Sequence, residues 1–360
     1  FEAARSGAMG AVISASHNPY HDNGIKLFAP GGTKLPDETE AAIEACLLTL
    51  TDEPPTVAEP GRVHGRSSAE AYVEHLLGVL EGRTLEGLRV VVDAANGAAS
   101  HVAGDVFTRA GASVVAVNVA PDGRNINAGC GATAPAALQA LVPAERAYAG
   151  LALDGDADRL IAVDETGAVV DGDHILAICA ADLRARGLLH HDTVVATVMA
   201  NLGFRQAMAR EGINVVETAV GDRYVLEALA VGGYSLGGEQ SGHVIFPSHA
   251  TTGDGLLTGL VLLDVLARSG RQLSQLAAAA MTQLPQVLVN VKVPSGSAAD
   301  AALAIADRAA AAAAALGDTG RVLVRPSGTE PLVRVMVEAP TEPEARAVAE
   351  SLAAAVVDPH

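Results

Sequence analysis

The stretch Leu153-Asp154-Gly155-Asp156-Ala157-Asp158-Arg159 places three carboxylates at alternate positions and an arginine directly after the last one. Alternate residues of an extended segment point to the same side, so the three aspartates converge. Carboxylates packed this closely repel each other unless a hard divalent cation lies between them. The pattern therefore predicts a metal site formed by Asp154, Asp156 and Asp158.

The sequence around this acidic loop (residues 154–159) argues against a calcium loop of the EF-hand type. Such a loop would match the three aspartates and Glu165, but it needs glycine at its sixth position, where this chain has Arg159. Residues 149–153 and 160–163 are short apolar runs, typical of β-strands and not of amphipathic helices. We therefore expect the loop to join two strands, and a solvated acidic turn is the alternative.

Composition limits the partners and the compartment. The formal net charge of −18 argues against nucleic acid or an anionic membrane as a partner. The three cysteines, Cys46, Cys130 and Cys179, lack metal-ligand spacing and suit a reducing cytosol. No apolar run is long enough to span a bilayer, and no signal peptide is visible. Because the chain begins at Phe1 and not at methionine, we expect an N-terminal segment to be missing.

The order of helical and extended patterns predicts an α/β fold with several domains. A strand over 88–92, a helix over 99–110 and a strand over 113–119 form a βαβ unit, which implies parallel strands. We predict three successive mixed α/β modules, the first one truncated, and a C-terminal βαββα domain of the α+β class. That last domain includes one alanine-rich helix over 298–316. The predicted boundaries are 1–82, 83–172, 173–283 and 284–360, with a surface linker over 51–66.

Ser16 lies in a small polar turn between two predicted strands, next to His17 and Asn18. A hydroxyl held in such a turn can act as a nucleophile or a phosphate carrier. The same composition is also common in ordinary turns, so both interpretations stay open. Lys26, in the following strand, would act as a base if neighbouring cations lowered its pKa, whereas an isolated lysine is a solvated charge.

Two later loops carry groups suited to a phosphorylated sugar. Residues 237–243 (Gly-Gly-Glu-Gln-Ser-Gly-His) offer Glu239 and Ser241 to sugar hydroxyls, and the glycines allow close approach. A mobile glycine hinge is the alternative there, and His243 alone would be structural. Residues 325–331 (Arg-Pro-Ser-Gly-Thr-Glu-Pro), followed by Arg334, combine two arginines, two hydroxyls and a glycine amide, which favours a phosphate dianion over a plain hairpin turn.

Four loops, over residues 14–19, 154–159, 237–243 and 325–330, resemble in this order the signatures of the α-D-phosphohexomutase superfamily. They are closest to those of its bacterial phosphoglucosamine mutase family. The resemblance extends to residues 251–255 (Thr-Thr-Gly-Asp-Gly) and covers essentially the whole chain. It departs in one place, because the family carries an additional N-terminal stretch before the serine loop. The resemblance therefore implies a partial first domain with an exposed sheet edge prone to association, and a fragment that is poorly active.

The resemblance also implies a role for each loop. Ser16 would be the phosphoserine, and it would hold one Mg²⁺ together with Asp154, Asp156 and Asp158. Lys26 and His17 would assist proton transfer, and Arg159 would lie near the transferring phosphate. The residues that would contact the sugar are Arg223, Glu239, Ser241 and His243. Those that would bind the phosphate that does not react are Arg325, Ser327, Gly328, Thr329 and Arg334.

The activity implied by the resemblance is that of an isomerase. It would interconvert glucosamine 6-phosphate and glucosamine 1-phosphate through a 1,6-bisphosphate, in a central cleft that a mobile last domain closes. The implied enzyme is cytoplasmic and acts on a small phosphosugar, and its product supplies the synthesis of UDP-N-acetylglucosamine and of the cell wall. A homodimer is one of the oligomeric states that the resemblance allows. Two alternatives stay open: a phosphomannomutase or phosphoglucomutase, and a non-catalytic phosphosugar-binding protein.

Overall fold

A computed structural model of the chain describes residues 1–52, 62–65, 67–294, 296–327 and 330–357. The chain divides into two compact units. The first comprises Phe1–Met199 and Ile213–Ala280, and the second comprises Ala200–Gly212 and Met281–His360. Most of the predicted linker, residues 53–61 and 66, lies outside the described residues.

The N-terminal part of the first unit contains a small antiparallel sheet with exposed side chains. Its elements are α1 (Glu2–Ser6), β1 (Gly10–Ser14), β2 (Gly24–Phe28), α2 (Asp37–Asp52) and α3 (Ala69–Gly78). In the β1–β2 pair Ile13 lies opposite Ile25, and these side chains are 76% and 70% exposed. Among the described residues these two strands form a sheet of their own, and Ser16 lies in the loop between them.

The second module places the acidic loop at the end of a buried hairpin. It consists of β3 (Arg89–Asp93), α4 (Ala103–Arg109), β4 (Ser113–Val117), α5 (Ala136–Ala144), β5 (Ala149–Leu153), β6 (Leu160–Asp164) and β7 (Val169–Val170). The sheet order is β4-β3-β5-β6-β7; β3 is parallel to β4 and β5, and β6 is antiparallel to β5. The helix predicted over 99–110 is wrong in part, because a 3-10 turn over Ala98–His101 precedes α4.

The third module carries the glycine-rich loop between two short strands. Its elements are α6 (Gly172–Ala185), β8 (Thr193–Thr197), α7 (Leu202–Arg210), β9 (Asn214–Thr218), α8 (Asp222–Gly232), β10 (Gly237–Gly238), β11 (Val244–Ile245), α9 (Gly255–Ser269) and α10 (Leu273–Ala280). The sheet order is β11-β10-β8-β9. The sequence patterns did not predict α9, because this helix is buried on almost every side and lacks a polar stripe.

The second unit contains an antiparallel sheet with the predicted βαββα order. Its elements are β12 (Gln286–Lys292), α11 (Ala298–Ala304), α12 (Ala306–Leu316), β13 (Arg321–Pro326), β14 (Leu332–Glu338) and α13 (Glu342–Val357), with sheet order β12-β14-β13. The single helix predicted over 298–316 is wrong. It breaks at Ile305, whose backbone leaves the helical region (φ −104°, ψ 8°) and whose side chain is fully buried.

Helix α7 follows β8 along the chain but belongs to this second unit, to which a buried carboxylate bonds it. Glu338 accepts a hydrogen bond from Leu202 N at 2.8 Å and pairs with Arg321 Nε at 3.2 Å. Its side chain is fully buried, so these partners compensate a charge that water cannot reach. The alternation of helices and strands confirms an α/β chain with a C-terminal α+β domain, and the four exact boundaries stay a prediction.

Candidate active site

The acidic loop brings its three aspartates together as the sequence predicted, but it does so by a turn and not by an extended segment: Ala157 N donates to Asp154 O at 3.1 Å, and Ala157 has a φ of 59°. One oxygen from each of Asp154, Asp156 and Asp158 lies within 4.8 Å of the others. In each aspartate one buried carboxylate oxygen (Oδ2 of the first, Oδ1 of the other two) has no hydrogen-bond partner among the described residues. Oxygens of this kind are the ligands that Mg²⁺ and Ca²⁺ prefer. The donor set therefore fits one hard divalent cation.

Electrostatics within the loop point the same way. Burial, together with the charges of Asp158 and Asp156, raises the pKa of Asp154 to about 8. Burial also acts to raise the pKa of Asp158, but His243, Lys26 and Arg159 outweigh it and hold that pKa below its ordinary value. A proton on Asp154 thus relieves the repulsion when no cation is bound, and a divalent cation would displace it.

Lys26 contacts carboxylates. Its Nζ lies 2.7 Å from Asp156 Oδ2 and 3.4 Å from Asp158 Oδ2. Burial acts to lower the pKa of Lys26, but the hydrogen bond to Asp156 and the two negative charges raise it above its ordinary value. The condition under which this lysine would act as a base, neighbouring cations that lower its pKa, is therefore not met in the structure described, which favours a charged proton donor.

The loop that carries Ser16 is bonded directly to the acidic loop. Gly155 N donates a hydrogen bond to Ser16 O at 3.0 Å. Ser16 has a φ of 50°, in the left-handed region, and its Oγ lies 3.4 Å from His17 Nδ1. Burial, followed by the charge of Arg159, lowers the pKa of His17, so this imidazole is neutral near neutral pH and able to accept a proton.

Two glycines that sequence reasoning did not single out make this approach possible. A Cβ on Gly155 would lie 2.4 Å from Ser16 O and 2.6 Å from Ile126 Cδ1. A Cβ on Gly97 would lie 2.3 Å from Gly155 O. The Asn96-Gly97 turn was visible in the sequence, but its contact with the acidic loop depends on tertiary structure.

The glycine-rich loop packs against the start of β6, beside the acidic loop. Leu160 N donates to Gly242 O at 3.0 Å. Glu239 Oε1 accepts from Gly221 N at 3.1 Å, and Ser241 Oγ donates to Glu239 Oε2 at 3.5 Å. The structure therefore brings Glu239 and Ser241 together and places their loop next to the predicted metal site.

His243 connects that loop to the acidic loop. Its side chain is buried; Nε2 accepts from Gly253 N at 3.1 Å, so the ring proton lies on Nδ1. Nδ1 is 3.6 Å from Asp158 Oδ1. This geometry favours the structural interpretation of His243, which orients an aspartate of the cluster.

The two arginines predicted for the first unit differ in their surroundings. Arg159 N donates to Asp154 Oδ1 at 3.1 Å, while its buried Nε has no hydrogen-bond partner among the described residues and lies 3.9 Å from Asp158 Oδ1. Arg223 Nη2 donates to Leu35 O at 2.6 Å and so holds the segment after β2. Arg159 therefore has a donor that can meet an anion, and Arg223 is already engaged.

In the second unit, the predicted phosphate loop has two arginines on paired strands. Arg325 and Arg334 lie directly opposite each other on β13 and β14. Burial, followed by the charge of Arg334, lowers the pKa of Arg325. Arg334 Nη2 lies 3.5 Å from Ser327 Oγ and 3.4 Å from Glu330 Oε2. Like charges opposite each other are unfavourable, so the pair favours an anion nearby; Gly328 and Thr329 lie outside the described residues.

A cavity of about 440 Å³ opens on the Lys26 side of the acidic loop. Asp156, Asp158 and Asp254 line it, but Ser16, Arg159 and Glu239 do not. We therefore do not assign this cavity to the sugar. Within the parts of the chain that the structure describes, no helix combines the length and apolarity needed to cross a membrane.

Models of one protein family match the chain along nearly its whole length. They are the four domain models of the phosphoglucomutase/phosphomannomutase family: domain I over residues 2–53, domain II over 70–167, domain III over 171–284 and the C-terminal domain over 288–355. The matches follow the order of the four loops in the sequence.

Solved structures of this group share the fold. The Aspergillus fumigatus N-acetylphosphoglucosamine mutase in complex with GlcNAc-6P and magnesium gives a TM-score of 0.78 at 22% identity, covering 99% of this chain and 90% of that one. A phosphoglucomutase/phosphomannomutase family protein from Burkholderia thailandensis gives 0.80 at 24% identity, covering 97% and 77%. At these identities the likeness shows the fold alone.

Curated relatives are much closer in sequence. A phosphoglucosamine mutase of Salinispora tropica is 56% identical over 349 residues, which are 96% of this chain and 77% of that protein. One from Frankia casuarinae is 57% identical over 355 residues, covering 98% of this chain and 78% of that protein. The chain therefore belongs to the phosphoglucomutase/phosphomannomutase family and, within it, to the phosphoglucosamine mutases.

Proposed function

We propose that this chain interconverts glucosamine 6-phosphate and glucosamine 1-phosphate, with Ser16 as the phosphate carrier. The observation that carries the proposal is the hydrogen bond between Gly155 N and Ser16 O, at 3.0 Å. It joins a serine in a strained turn to a loop whose three aspartates each have a buried oxygen that no described residue hydrogen-bonds. A hydroxyl and a cation site held this closely suit phosphoryl transfer.

The proposed cofactor is Mg²⁺, held by Ser16 and by the acidic loop through Asp154, Asp156 and Asp158. Bound there, the ion would offset negative charge on the transferring phosphoryl group. The Aspergillus enzyme that shares the fold was solved with magnesium, which supports this choice. Arg159, whose Nε has no hydrogen-bond partner in the described parts of the chain, would add a second positive charge on the same phosphate.

The reaction has two transfers in opposite directions. In the first, the bond between phosphorus and the oxygen of phosphoserine 16 breaks and a bond to the sugar O1 forms, giving the 1,6-bisphosphate. The O1 proton passes to a base, for which the neutral His17 is suited by its lowered pKa, and the released Ser16 Oγ takes that proton from His17, whose Nδ1 lies 3.4 Å away. After the bisphosphate turns around, the bond between phosphorus and O6 breaks as a bond to Ser16 Oγ forms; the Oγ proton passes to His17, and O6 takes a proton from the charged Lys26. Exchange with solvent then returns a proton to Lys26 and removes one from His17.

Two loops would hold the substrate during both transfers. Glu239 and Ser241 would bind sugar hydroxyls, with His243 orienting Asp158 and Arg223 supporting the adjacent backbone. In the second unit the groups that would bind the phosphate that does not react are Arg325, Ser327, Gly328, Thr329 and Arg334. We further propose a cytoplasmic enzyme that supplies amino-sugar precursors for UDP-N-acetylglucosamine and cell-wall synthesis; a homodimer stays a prediction.

The test compares Ser16→Ala with Ser113→Ala, which removes the hydroxyl of an exposed serine at the start of β4. Each protein is incubated with glucosamine 1,6-bisphosphate and Mg²⁺, and its intact mass and mutase turnover are measured. The unchanged chain and Ser113→Ala should gain the mass of one phosphoryl group, whereas Ser16→Ala should gain none and lose turnover. Undiminished turnover by Ser16→Ala would refute the phosphoserine mechanism.

A substrate panel separates the proposal from its alternatives. Glucosamine, glucose and mannose 6-phosphates are assayed side by side with the same protein. We expect the amino sugar to have the highest kcat/KM. Equal or better turnover of mannose 6-phosphate would favour a phosphomannomutase, and binding of all three without turnover would favour a phosphosugar-binding protein.

A further inference from the structure

Asn127 connects the second module to the loop that carries Ser16. Its side-chain Nδ2 donates to Ser16 O at 2.7 Å and to Asn18 O at 2.8 Å, across sequence separations of 111 and 109 residues. Ser16 O also accepts from Gly155 N at 3.0 Å. One carbonyl of the serine turn thus has two donors from the module that contains the acidic loop.

Asn127 is itself held by the buried end of β3. It has a φ of 57°, a left-handed conformation that asparagine tolerates better than most residues, and its N donates to Ala95 O at 3.0 Å. Asp93 is almost fully buried, and its two carboxylate oxygens accept from Ala95 N at 2.9 Å and Gly131 N at 2.8 Å. The backbone of Asn127 is therefore bonded to the segment that directly follows β3, and this fixes the position of its side-chain amide.

We propose that Asn127 is a positioning residue, which holds the Ser16 turn against the acidic loop. The inference rests on the proposed function, because it concerns where the phosphate carrier lies relative to the predicted metal ligands. The left-handed backbone of Ser16 is a strained conformation for serine, so it persists only where surrounding contacts stabilise it. Within the turn, Ser14 Oγ accepts from Ser16 N at 2.9 Å, and Asn127 and Gly155 add contacts to Ser16 O from outside it. No residue of the strands on either side of the turn is buried, so packing of these strands fixes the turn only weakly.

Two substitutions of Asn127 and one matched control test the proposal. Asn127→Asp keeps the shape but replaces the donating amide with a carboxylate that faces two carbonyl oxygens. Asn127→Gly removes the side chain and tolerates the positive φ. The control is Asn125→Asp, because Asn125 lies in the same loop and its amide donates to Ala120 O at 3.0 Å, away from Ser16.

Turnover and backbone exchange are measured on all three variants of the whole chain. Both Asn127 variants should lose about 10- to 100-fold in kcat, with KM changed by less than about 3-fold, and Ser16 should accept phosphate from the bisphosphate correspondingly slowly. Amide hydrogen exchange in residues 14–18 should become faster in both Asn127 variants. The Asn125 control should retain the kcat and the exchange rate of the unchanged chain.

The outcomes separate this inference from the proposed function. Unchanged exchange in residues 14–18 of the Asn127 variants, or faster exchange with unchanged kcat, overturns the positioning role. An equal loss in the Asn125 control overturns it as well, because the effect would then belong to the loop as a whole. If Ser16→Ala keeps its turnover, the phosphoserine mechanism fails, while the exchange rates still decide whether Asn127 holds the turn.

Discussion

The acidic loop and the Ser16 turn, which together would form the reacting centre, are built in different ways. The acidic loop joins β5 and β6, in which all ten strand residues are buried. The Ser16 turn joins β1 and β2, in which no strand residue is fully buried. Close packing fixes the aspartates, whereas a few hydrogen bonds fix the serine.

This difference predicts how substitutions separate activity from stability. Packing and electrostatic repulsion both act in the acidic loop, so a change there alters stability and catalysis together. The serine turn depends on donors such as Gly155 N and Asn127 Nδ2. A change in the turn should therefore alter catalysis while leaving the free energy of unfolding nearly constant.

The largest expected effect comes from Asp154→Asn. Mutase turnover should fall by about 100-fold or more. Substituting a residue that only hydrogen-bonds to a metal ligand costs roughly 10- to 100-fold, and Asp154 would be a ligand itself. The metal-free protein should nevertheless gain thermal stability, because Asp154 otherwise has either to stay charged beside two other carboxylates or to take up a proton that it does not bind when the chain is unfolded. Turnover and melting temperature in the presence of a chelator measure both effects.

Asp164→Asn is the matched control for this prediction. Asp164 is also buried, at the other end of β6, but its Oδ1 accepts from Thr166 N and Ala168 N, at 2.9 Å each. Its substitution should not raise the melting temperature and should leave turnover within a few-fold. A metal-free Asp154→Asn protein that melts below the unchanged chain would contradict the repulsion argument.

Gly155→Ala should cause the next largest effect. The new Cβ would lie 2.4 Å from Ser16 O, so the serine turn has to move away from the acidic loop. Displacing a reacting group by about 1 Å can cost on the order of 100-fold in rate, so we expect up to that loss in kcat. Steady-state kinetics and a urea titration measure kcat and the free energy of unfolding on the same preparation.

Gly104→Ala provides the comparison for the glycine substitution. Gly104 lies in α4, where the nearest atom to a new Cβ is Ala116 Cβ at an ordinary 3.7 Å. In a helix this change stabilises by about 0.5–1 kcal/mol and should not affect turnover. If Gly155→Ala retained full activity, the close approach of the two loops would not matter for the reaction.

The sequence was most informative where the site is local. Asp154, Asp156 and Asp158 lie within five residues, so their carboxylates were expected to converge, and the structure brings them together. The extended segment on which that expectation rested is wrong, because the loop is a turn in which Ala157 has a positive φ. The alternation of helical and extended patterns likewise predicted the α/β modules and the C-terminal α+β domain, because each pattern depends on neighbouring residues.

What the sequence did not reveal depends on distant contacts. The carboxylate partners of Lys26 lie 130 and 132 residues away, and the contacts of Asn127 are similarly remote. Neither follows from spacing along the chain. The break at Ile305 shows a related effect. The alanine-rich composition favours one continuous helix, but the structure has two helices, and the side chain of Ile305 between them is fully buried.

A smaller effect concerns the pH dependence of the metal-free protein. The pKa of Asp154 is about 8 in the folded chain and 3.8 ordinarily, so between these values the folded state binds a proton that the unfolded state lacks. Stability should therefore fall as pH rises through this window, by at most about 1.4 kcal/mol per pH unit. Above about pH 5 the lowered pKa of Asp158 adds no slope, because that carboxylate is then ionised in both states. The lowered pKa values of His17 and His249 give a slope of the opposite sign below their ordinary value of 6.5.

Chemical unfolding in a chelator, at several pH values between about 5 and about 8, measures this slope. Asp154→Asn should flatten it. Saturating Mg²⁺ should flatten it too, because the ion would replace the proton. A slope that persists in Asp154→Asn would assign the pH dependence to other groups.

The smallest expected effect comes from the exposed face of the β1–β2 sheet. Ile13→Thr and Ile25→Thr should each change the free energy of unfolding by less than about 0.5 kcal/mol, because both side chains are largely in water. Leu151→Ala, in the fully buried β5, should cost about 2–5 kcal/mol. Urea titration gives both values, and sedimentation gives the oligomeric state.

A loss above about 2 kcal/mol in Ile13→Thr, or a change in its oligomeric state, would mean that another surface covers these strands in solution. In that case packing would fix the position of the serine turn, as it fixes the acidic loop.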